Sequence, residues 1–209
     1  MSVASAGRGT LLVGDVHGCA AELRSLVERA NPERVILLGD LFTKGPDAPG
    51  VWSFVQERGC ASILGNHDDL LLRAPERGRA LGLPAEALAW LATLPLTLTG
   101  RRHDGGPYRL VHAGLNPVDG LAGTSRDQLL VMRRWPDDLD AANPFWWERW
   151  RGEELIVYGH DAARGLVDRR PSTLGLDSGC VYGGRLSGYL VEEDRLVSVP
   201  AARVYRKPG

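Results

Sequence analysis

Short, mainly apolar runs that end in glycine and a polar residue recur along the chain, and several precede a helical stretch. Such runs fit strands that are buried on both faces, as in a sheet covered by helices. Their alternation with helical stretches predicts βαβ units and a largely parallel sheet. The predicted strand and helix pairs are Thr10–Val13 with Ala20–Arg29, Val35–Leu38 with Pro49–Glu57, and Ala61–Leu64 with Leu70–Arg73.

The second half of the chain has a stronger β pattern. Strands are predicted over Tyr108–Val111 and Leu155–Tyr158, and a helix over Pro84–Thr93 connects the two halves. Three short strands near the end of the chain predict a meander in a second sheet. These strands cover Ser172–Leu176, Leu186–Val191 and Arg195–Val199, and the predicted surface loops cover Gly78–Gly82 and Arg101–Pro107.

Composition and charge narrow the class of protein. The chain has 209 residues, which suits one domain over residues 1–209, and residues 1–9 are expected to be disordered. The formal net charge of -1 provides no global field that would attract a nucleic-acid duplex or a membrane. No apolar stretch is long enough for a membrane span, and no signal peptide is evident. Three separate cysteines without a C-x-x-C pair favour a reducing, cytoplasmic location.

Ligand-type side chains follow the predicted strands at equivalent positions. Taken singly, an Asp or Asn after a strand is typical of a turn or helix cap, and a lone His there is often structural. Five such coincidences make separate structural explanations implausible. Loops at the carboxyl ends of strands share one edge of an α/β sheet, so these side chains are expected to converge. They are Asp15, His17, Asp40, Asn66, His67, His112 and His160.

Such a set suits two divalent cations acting on phosphorus. A pair of cations about 3.5–4 Å apart lowers the pKa of a bound water and holds the nonbridging phosphate oxygens. The pair needs a shared carboxylate together with neutral imidazole and amide ligands. Mixed nitrogen and oxygen ligation favours Mn, with Fe, Co, Zn or Ni as alternatives.

The ordered motifs resemble those of the calcineurin-like metallophosphoesterases. This resemblance implies that Asp15, His17 and Asp40 bind one metal, and that Asp40 bridges to a second. It also implies two packed mixed β-sheets flanked by helices, an α/β fold with an α+β-like four-layer arrangement and the metals at the carboxyl ends of the strands. A metal-bridging hydroxide would be the nucleophile. The motifs are Gly14-Asp15-Val16-His17-Gly18, Gly39-Asp40, Gly65-Asn66-His67-Asp68, His112-Ala113-Gly114 and Gly159-His160.

The same resemblance assigns the remaining roles near the metals. Asn66, His112 and His160 would complete the second metal site, and His67 would be the general acid that protonates the leaving oxygen. Asp68 is predicted as a catalytic-site residue, either at the start of a helix or as an orienting group.

Two features resemble motifs of the ApaH-like phosphatases, which are relatives of the symmetrical diadenosine tetraphosphatases. They are Lys44, which Gly-Pro follows, and the segment Leu176–Leu186. Ser/Thr protein phosphatases carry Asp-Arg where this chain has Thr43-Lys44, so the usual carboxylate partner of His67 is missing. Lysine is a point charge, whereas arginine grips phosphate with a planar fork. Lys44, Arg133 and Arg134 are the predicted phosphate-binding residues, and Asp177 and Tyr182 are candidates for the substrate pocket.

The aromatic residues between Trp135 and Trp150 have two interpretations, a packing patch or a stacking surface for a nucleobase. The resemblance favours hydrolysis of phosphoanhydrides in nucleotides such as dinucleoside polyphosphates. A Ser/Thr phosphoprotein phosphatase with broad phosphomonoesterase activity is the alternative, and a catalytically silent binding protein is the third hypothesis. The sequence makes no prediction of oligomeric state.

Overall fold

The computed structural model describes residues 9–208, so residues 1–8 of the segment predicted to be disordered lie outside the description. The strands are β1 Thr10–Val13, β2 Arg34–Leu37, β3 Ala61–Ser62, β4 Thr97–Arg101, β5 Pro107–Val111, β6 Leu155–Tyr158, β7 Val167–Arg169, β8 Thr173–Gly175, β9 Arg185–Leu190 and β10 Arg195–Pro200. The helices are α1 Ala20–Ala30, α2 Ala48–Arg58, α3 Asn66–Arg73, α4 Pro75–Ala80, α5 Ala85–Leu91, α6 Arg126–Val131 and α7 Trp146–Arg149.

The strands form two mixed five-stranded sheets, as the resemblance predicts. The first has the order β10-β9-β1-β2-β3, and the second has the order β4-β5-β6-β8-β7. Within the first sheet β1, β2 and β3 are parallel, whereas β9 pairs antiparallel with both β1 and β10. Within the second sheet β5, β6 and β8 are parallel, and the edge strands β4 and β7 are antiparallel.

The predicted meander near the end of the chain is wrong. Strand β8 belongs to the second sheet beside β6, whereas the β9–β10 hairpin extends the first sheet through β1. The predicted loop Gly78–Gly82 is partly helical because α4 runs to Ala80. Strands β4 and β7 were not predicted from the sequence. Both are edge strands with partly exposed side chains, so neither has a continuous apolar run.

Alternate residues of the central strands face different layers. Leu12 of β1 packs between the sheets with Val157 of β6, whereas Leu11 and Val13 pack against the helices. Helices α1, α2 and α5 cover the first sheet, while α6 and α7 cover the second near Ile156. Four layers therefore result, and the central strands are mainly apolar because both of their faces are largely buried.

This arrangement gathers the loops that carry polar residues. Strands β1, β2 and β3 end at the same edge of the first sheet, and β5, β6 and β8 end at the corresponding edge of the second. The predicted ligands follow five of these six strands. Among residues 9–208, no helix is long and apolar enough to cross a bilayer.

Candidate metal centre

The six predicted metal ligands converge at the edge shared by the two sheets. Two buried groups have candidate ligand atoms within 4.8 Å of one another, and both groups include Asp40. One group adds two residues from the β1 loop, and the other adds two histidines from the second sheet. Asn66 lies between those histidines, with its Oδ1 2.9 Å from one ring and 3.0 Å from the other. The first group is Asp15, His17 and Asp40, and the second is Asp40, His112 and His160.

Backbone carbonyls orient two of the imidazoles. Nδ1 of His112 is 2.7 Å from the carbonyl oxygen of Leu38, which leaves Nε2 facing the cluster, 3.5 Å from a carboxylate oxygen of Asp40. His160 has the opposite orientation, with Nε2 3.1 Å from the carbonyl oxygen of Val131 and Nδ1 directed to the cluster. A carbonyl that accepts from one ring nitrogen leaves the other unprotonated, as a metal ligand must be.

The third imidazole is oriented by side chains. Nδ1 of His17 is 3.2 Å from Oγ1 of Thr43, and its Nε2 is 3.5 Å from Asp40. Nζ of Lys44 is 3.0 Å from the same Nε2. Thr43 therefore supports a candidate metal ligand, and it provides no carboxylate to His67.

Strained backbone is concentrated at this edge of the sheets. His17, Asp40, Lys44 and His160 have φ values of 45°, 55°, 68° and 69°, in the left-handed region that glycine favours. Residues held in this region cost of order 1–3 kcal/mol each, and they persist where the surrounding structure enforces them. Four of the predicted site residues thus share a strained conformation, and such conformations cluster at functional sites.

Tight backbone contacts hold the first aspartate of the cluster. The backbone N–H of His160 donates to both carboxylate oxygens of Asp15, at 3.1 and 3.2 Å. A Cβ atom added to Gly159 would lie 2.1 Å from Oδ1 of the same carboxylate. A glycine at this position therefore lets the loops after β1 and β6 approach closely.

The electrostatics of the cluster suit bound cations. Burial raises the pKa of Asp15 well above its ordinary value and raises that of Asp40 to about 7. Burial also lowers the pKa values of His17 and His160 well below the ordinary value for histidine. Buried carboxylates beside neutral imidazoles are costly without a compensating charge. This donor set, neutral nitrogen and shared oxygen, therefore fits a pair of divalent cations.

Asp68 supports the loop of Asp40 and lies away from the cavity. Its carboxylate accepts hydrogen bonds from the backbone N–H groups of Asp40, Leu41 and Gly65, at 2.7, 3.0 and 3.2 Å. The residue is 0% exposed, so it does not contact a substrate. The prediction of a catalytic Asp68 is therefore corrected. It lies in the first turn of α3 and orients the loop, which combines the two roles predicted for it.

His67 lies at the cavity without a carboxylate partner. Its backbone N–H donates to Oδ1 of Asp40 at 2.8 Å, and its ring packs edge-on against His17 with the centroids 5.2 Å apart. Between residues 9 and 208, no hydrogen bond to the imidazole of His67 is found. Burial, followed by the charge of Lys44, lowers its pKa to about 4.

The other predicted residues line one cavity next to the ligands, with a volume of about 620 Å³. Tyr182 forms part of its wall, and Nζ of Lys44 lies 5.5 Å from the centre of that ring. Asp177 is 5% exposed and accepts from the backbone N–H of Gly179, and burial raises its pKa to about 6. The predicted lining residues found there are Lys44, Arg133, Arg134, Asp177 and Tyr182.

Packing explains most of the aromatic segment. Trp146 is 1% exposed and donates to the carbonyl of Ala113, while the buried Trp150 donates to the carbonyl of Glu154. Both belong to the cluster under the second sheet, and Trp135 packs against it. The packing interpretation therefore holds for Trp146 and Trp150, whose side chains are buried.

Sequence reasoning missed two charged residues of the cavity wall, Asp161 and Arg164. Both follow His160 closely, in the segment Gly159-His160-Asp161-Ala162 and just beyond it. The signal was the proximity of a basic residue to a predicted ligand. The sequence could not show on which side of the loop the guanidinium of Arg164 would lie.

Comparisons with known proteins agree with this geometry. The model of the calcineurin-like phosphoesterase family matches residues 10–197. A symmetrical bis(5'-nucleosyl)-tetraphosphatase of Aromatoleum aromaticum is 30% identical, with 91% of this chain and 96% of the relative aligned. An asymmetrical bis(5'-nucleosyl)-tetraphosphatase of Anoxybacillus flavithermus is 27% identical, with 93% and 95% aligned.

Solved structures show the same fold. A crystal structure provisionally assigned as a diadenosine tetraphosphatase superposes with a TM-score of 0.82 at 33% identity, covering 94% of this chain and 95% of that one. A protein serine/threonine phosphatase from Saccharomyces cerevisiae has a TM-score of 0.61 at 16% identity, covering 98% and 82%. Since the family model spans most of the sequence and the relatives align over nearly their whole lengths, the chain belongs to the calcineurin-like phosphoesterases.

Proposed function

We propose that this protein is a dinuclear-metal phosphohydrolase that cleaves phosphoanhydride bonds of nucleotides, in particular of dinucleoside polyphosphates. The observation that carries the proposal is the pair of buried ligand groups that share Asp40. Asp15 and His17 would hold one cation with Asp40, and Asn66, His112 and His160 would hold the other. When bound, the two cations supply an activated water and stabilise charge on the phosphoryl oxygens. Mn²⁺ suits this mixture of oxygen and nitrogen ligands.

Relatives support the substrate class. Proteins aligned over nearly the whole chain are named as bis(5'-nucleosyl)-tetraphosphatases, some symmetrical and some asymmetrical. The two names refer to different positions of cleavage in the phosphate chain. The position at which this protein cleaves must therefore be measured from its products. A phosphate chain also matches the cavity, in which Lys44, Arg133 and Arg134 lie beside the ligand cluster.

The surroundings of His67 favour an anhydride over a phosphoprotein. Hydrolysis of a phosphoserine expels an alkoxide, a strong base that needs a proton from a well-held general acid. A phosphate leaving group, whose last pKa is about 6, needs far less assistance. In this chain Thr43 stands where a protein phosphatase has aspartate, and it contacts His17 instead of His67. Among residues 9–208 no carboxylate orients His67, so we expect the protein to assist a poor leaving group less well than a protein phosphatase does.

Substrate preference separates the proposed function from a protein phosphatase. The Mn²⁺-loaded protein should hydrolyse diadenosine tetraphosphate with a kcat/KM at least tenfold above that for a phosphoserine peptide. Chromatography of the products would distinguish two ADP molecules from AMP and ATP. Asp40→Asn protein, purified identically, controls for contaminating phosphatases. Rapid dephosphorylation of the peptide with diadenosine tetraphosphate left intact would contradict the proposal and favour the phosphoprotein alternative.

We also propose that the chain acts as one domain in the cytoplasm. A single layer of apolar side chains packs between the two sheets, which supports one folding unit. Cys19, Cys60 and Cys180 are unpaired and buried, which suits a reducing compartment.

A further inference from the structure

The cavity extends beyond the six candidate ligands to a wall rich in arginine. This wall contains Arg133, Arg134 and Arg164, together with the half-buried ring of Phe145. Asp161 is the acidic residue of the wall, and its carboxylate is 3.7 Å from Nε of Arg133. Asp138 lies close by, and its carboxylate accepts hydrogen bonds from the backbone N–H groups of Arg133 and Arg134. Three guanidinium groups against these two carboxylates still leave an excess of positive charge on this side of the cavity.

Phe145 holds two of these arginines in place. The guanidinium carbon of Arg134 is 4.3 Å from the centre of its ring, and that of Arg164 is 5.2 Å away. Trp147 stacks on the same ring, with the centroids 5.2 Å apart and the planes 5° from parallel. A guanidinium over an aromatic face keeps its N–H donors free at its edges. The ring therefore organises cations at the cavity.

The guanidinium N–H donors of Arg164 are not paired with any group among residues 9–208. Arg134 donates to the carbonyl oxygen of Asn143, which uses part of its capacity. In the part of the chain from residue 9 to residue 208, no hydrogen bond or ion pair involves the guanidinium of Arg164. A preorganised guanidinium with free donors suits the bidentate recognition of phosphate.

We propose that Arg164 and Arg134 form an anion subsite for the phosphates that flank the reacting phosphate. The ligand class is a polyphosphate chain, such as that of a nucleotide, rather than an isolated phosphoryl group. This inference rests on the proposed function, since the flanking phosphates are what distinguish an anhydride substrate from a monoester. Phe145 is a positioning residue that acts through the two guanidinium groups.

Isothermal titration calorimetry of the Mn²⁺-loaded protein tests the subsite without relying on turnover. The probes are orthophosphate and a tripolyphosphate in which NH groups replace the bridging oxygens, so that the protein cannot hydrolyse it, both at a fixed free Mn²⁺ concentration. In Arg164→Ala, tripolyphosphate should bind about tenfold more weakly, whereas the Kd for orthophosphate should change less than twofold. Arg169→Ala is the matched control: its guanidinium lies 5.2 Å from the Trp147 ring of the same stack, but outside the cavity.

Each result decides the inference. Equal weakening of both probes, no weakening of either, or an equal effect of Arg169→Ala on tripolyphosphate would overturn it. A wild-type protein that binds tripolyphosphate through Arg164 but fails to cleave diadenosine tetraphosphate would instead contradict the proposed function.

The role of Phe145 has its own readout. Phe145→Leu should weaken tripolyphosphate binding in the same selective way, and Phe145→Trp, which restores an aromatic face, should recover most of it. A merely structural role would shift the melting temperature without this selectivity. Selective loss in Arg164→Ala but not in Phe145→Leu would show that the ring does not position the guanidinium.

Discussion

Replacing Asp68 by alanine tests how the loop of Asp40 is held. The carboxylate of Asp68 accepts from three buried backbone N–H groups, and its removal leaves all three without an acceptor. An unsatisfied buried donor costs about 1–3 kcal/mol. Water entering the vacated space would satisfy some of them, so we expect the free energy of unfolding to fall by about 3–5 kcal/mol. Loss of these hydrogen bonds would loosen the loop that holds Asp40, the residue predicted to bridge two cations.

The neighbouring aspartate provides a matched control. Asp69 is also buried, 7% exposed, but its carboxylate pairs with the partly exposed side chains of Arg73 and Arg126. Ion pairs with exposed partners contribute about 0–1 kcal/mol, so Asp69→Ala should destabilise the protein much less. Both variants carry the same change of side chain in the first turn of α3.

Two measurements separate positioning from catalysis. Urea unfolding in a chelator gives the free energy of unfolding, and titration with Mn²⁺ gives the metal affinity. Groups that orient ligands typically change metal affinity by about 10–100-fold, so Asp68→Ala should need correspondingly more Mn²⁺ for half-maximal activity. Saturating Mn²⁺ should then restore most of the activity. Persistently low activity at saturating metal, or equal effects of the two substitutions, would refute the reasoning.

Three further outcomes follow from the site and its surroundings. Asp40→Asn should lose both metals and nearly all activity; two metals found by elemental analysis would contradict bridging. His67→Ala should slow alkyl phosphates at least tenfold more than nitrophenyl phosphate, and equal losses would exclude a proton donor. Burial raises the pKa of Cys60 to about 11 and thus favours its thiol form, so iodoacetamide at pH 8 should label it about a hundredfold more slowly than in urea. Peptide mass spectrometry would show equal labelling if that reasoning fails.

Local patterns were sufficient for the centre of the fold and for the residues of the site. The strands that became β1, β2, β5 and β6 are buried on both faces, so their apolar runs stand out from the surrounding sequence. A single polar residue after such a strand is common, but its recurrence after five strands was enough to identify six candidate ligands. The pattern failed at β4 and β7, where one exposed face removes the signal.

Tertiary structure alone decided which elements met and what each side chain faced. The β9–β10 hairpin pairs with β1, more than 170 residues earlier, and no local pattern encodes that partner. Asp68 and Arg164 show the same limit for single residues: one turns its carboxylate under the Asp40 loop, and the other extends over Phe145 into the cavity. Residue type and spacing along the chain determine which chemistry is available. The direction of a side chain depends on packing between segments that are distant in sequence, and that packing exists only in the folded protein.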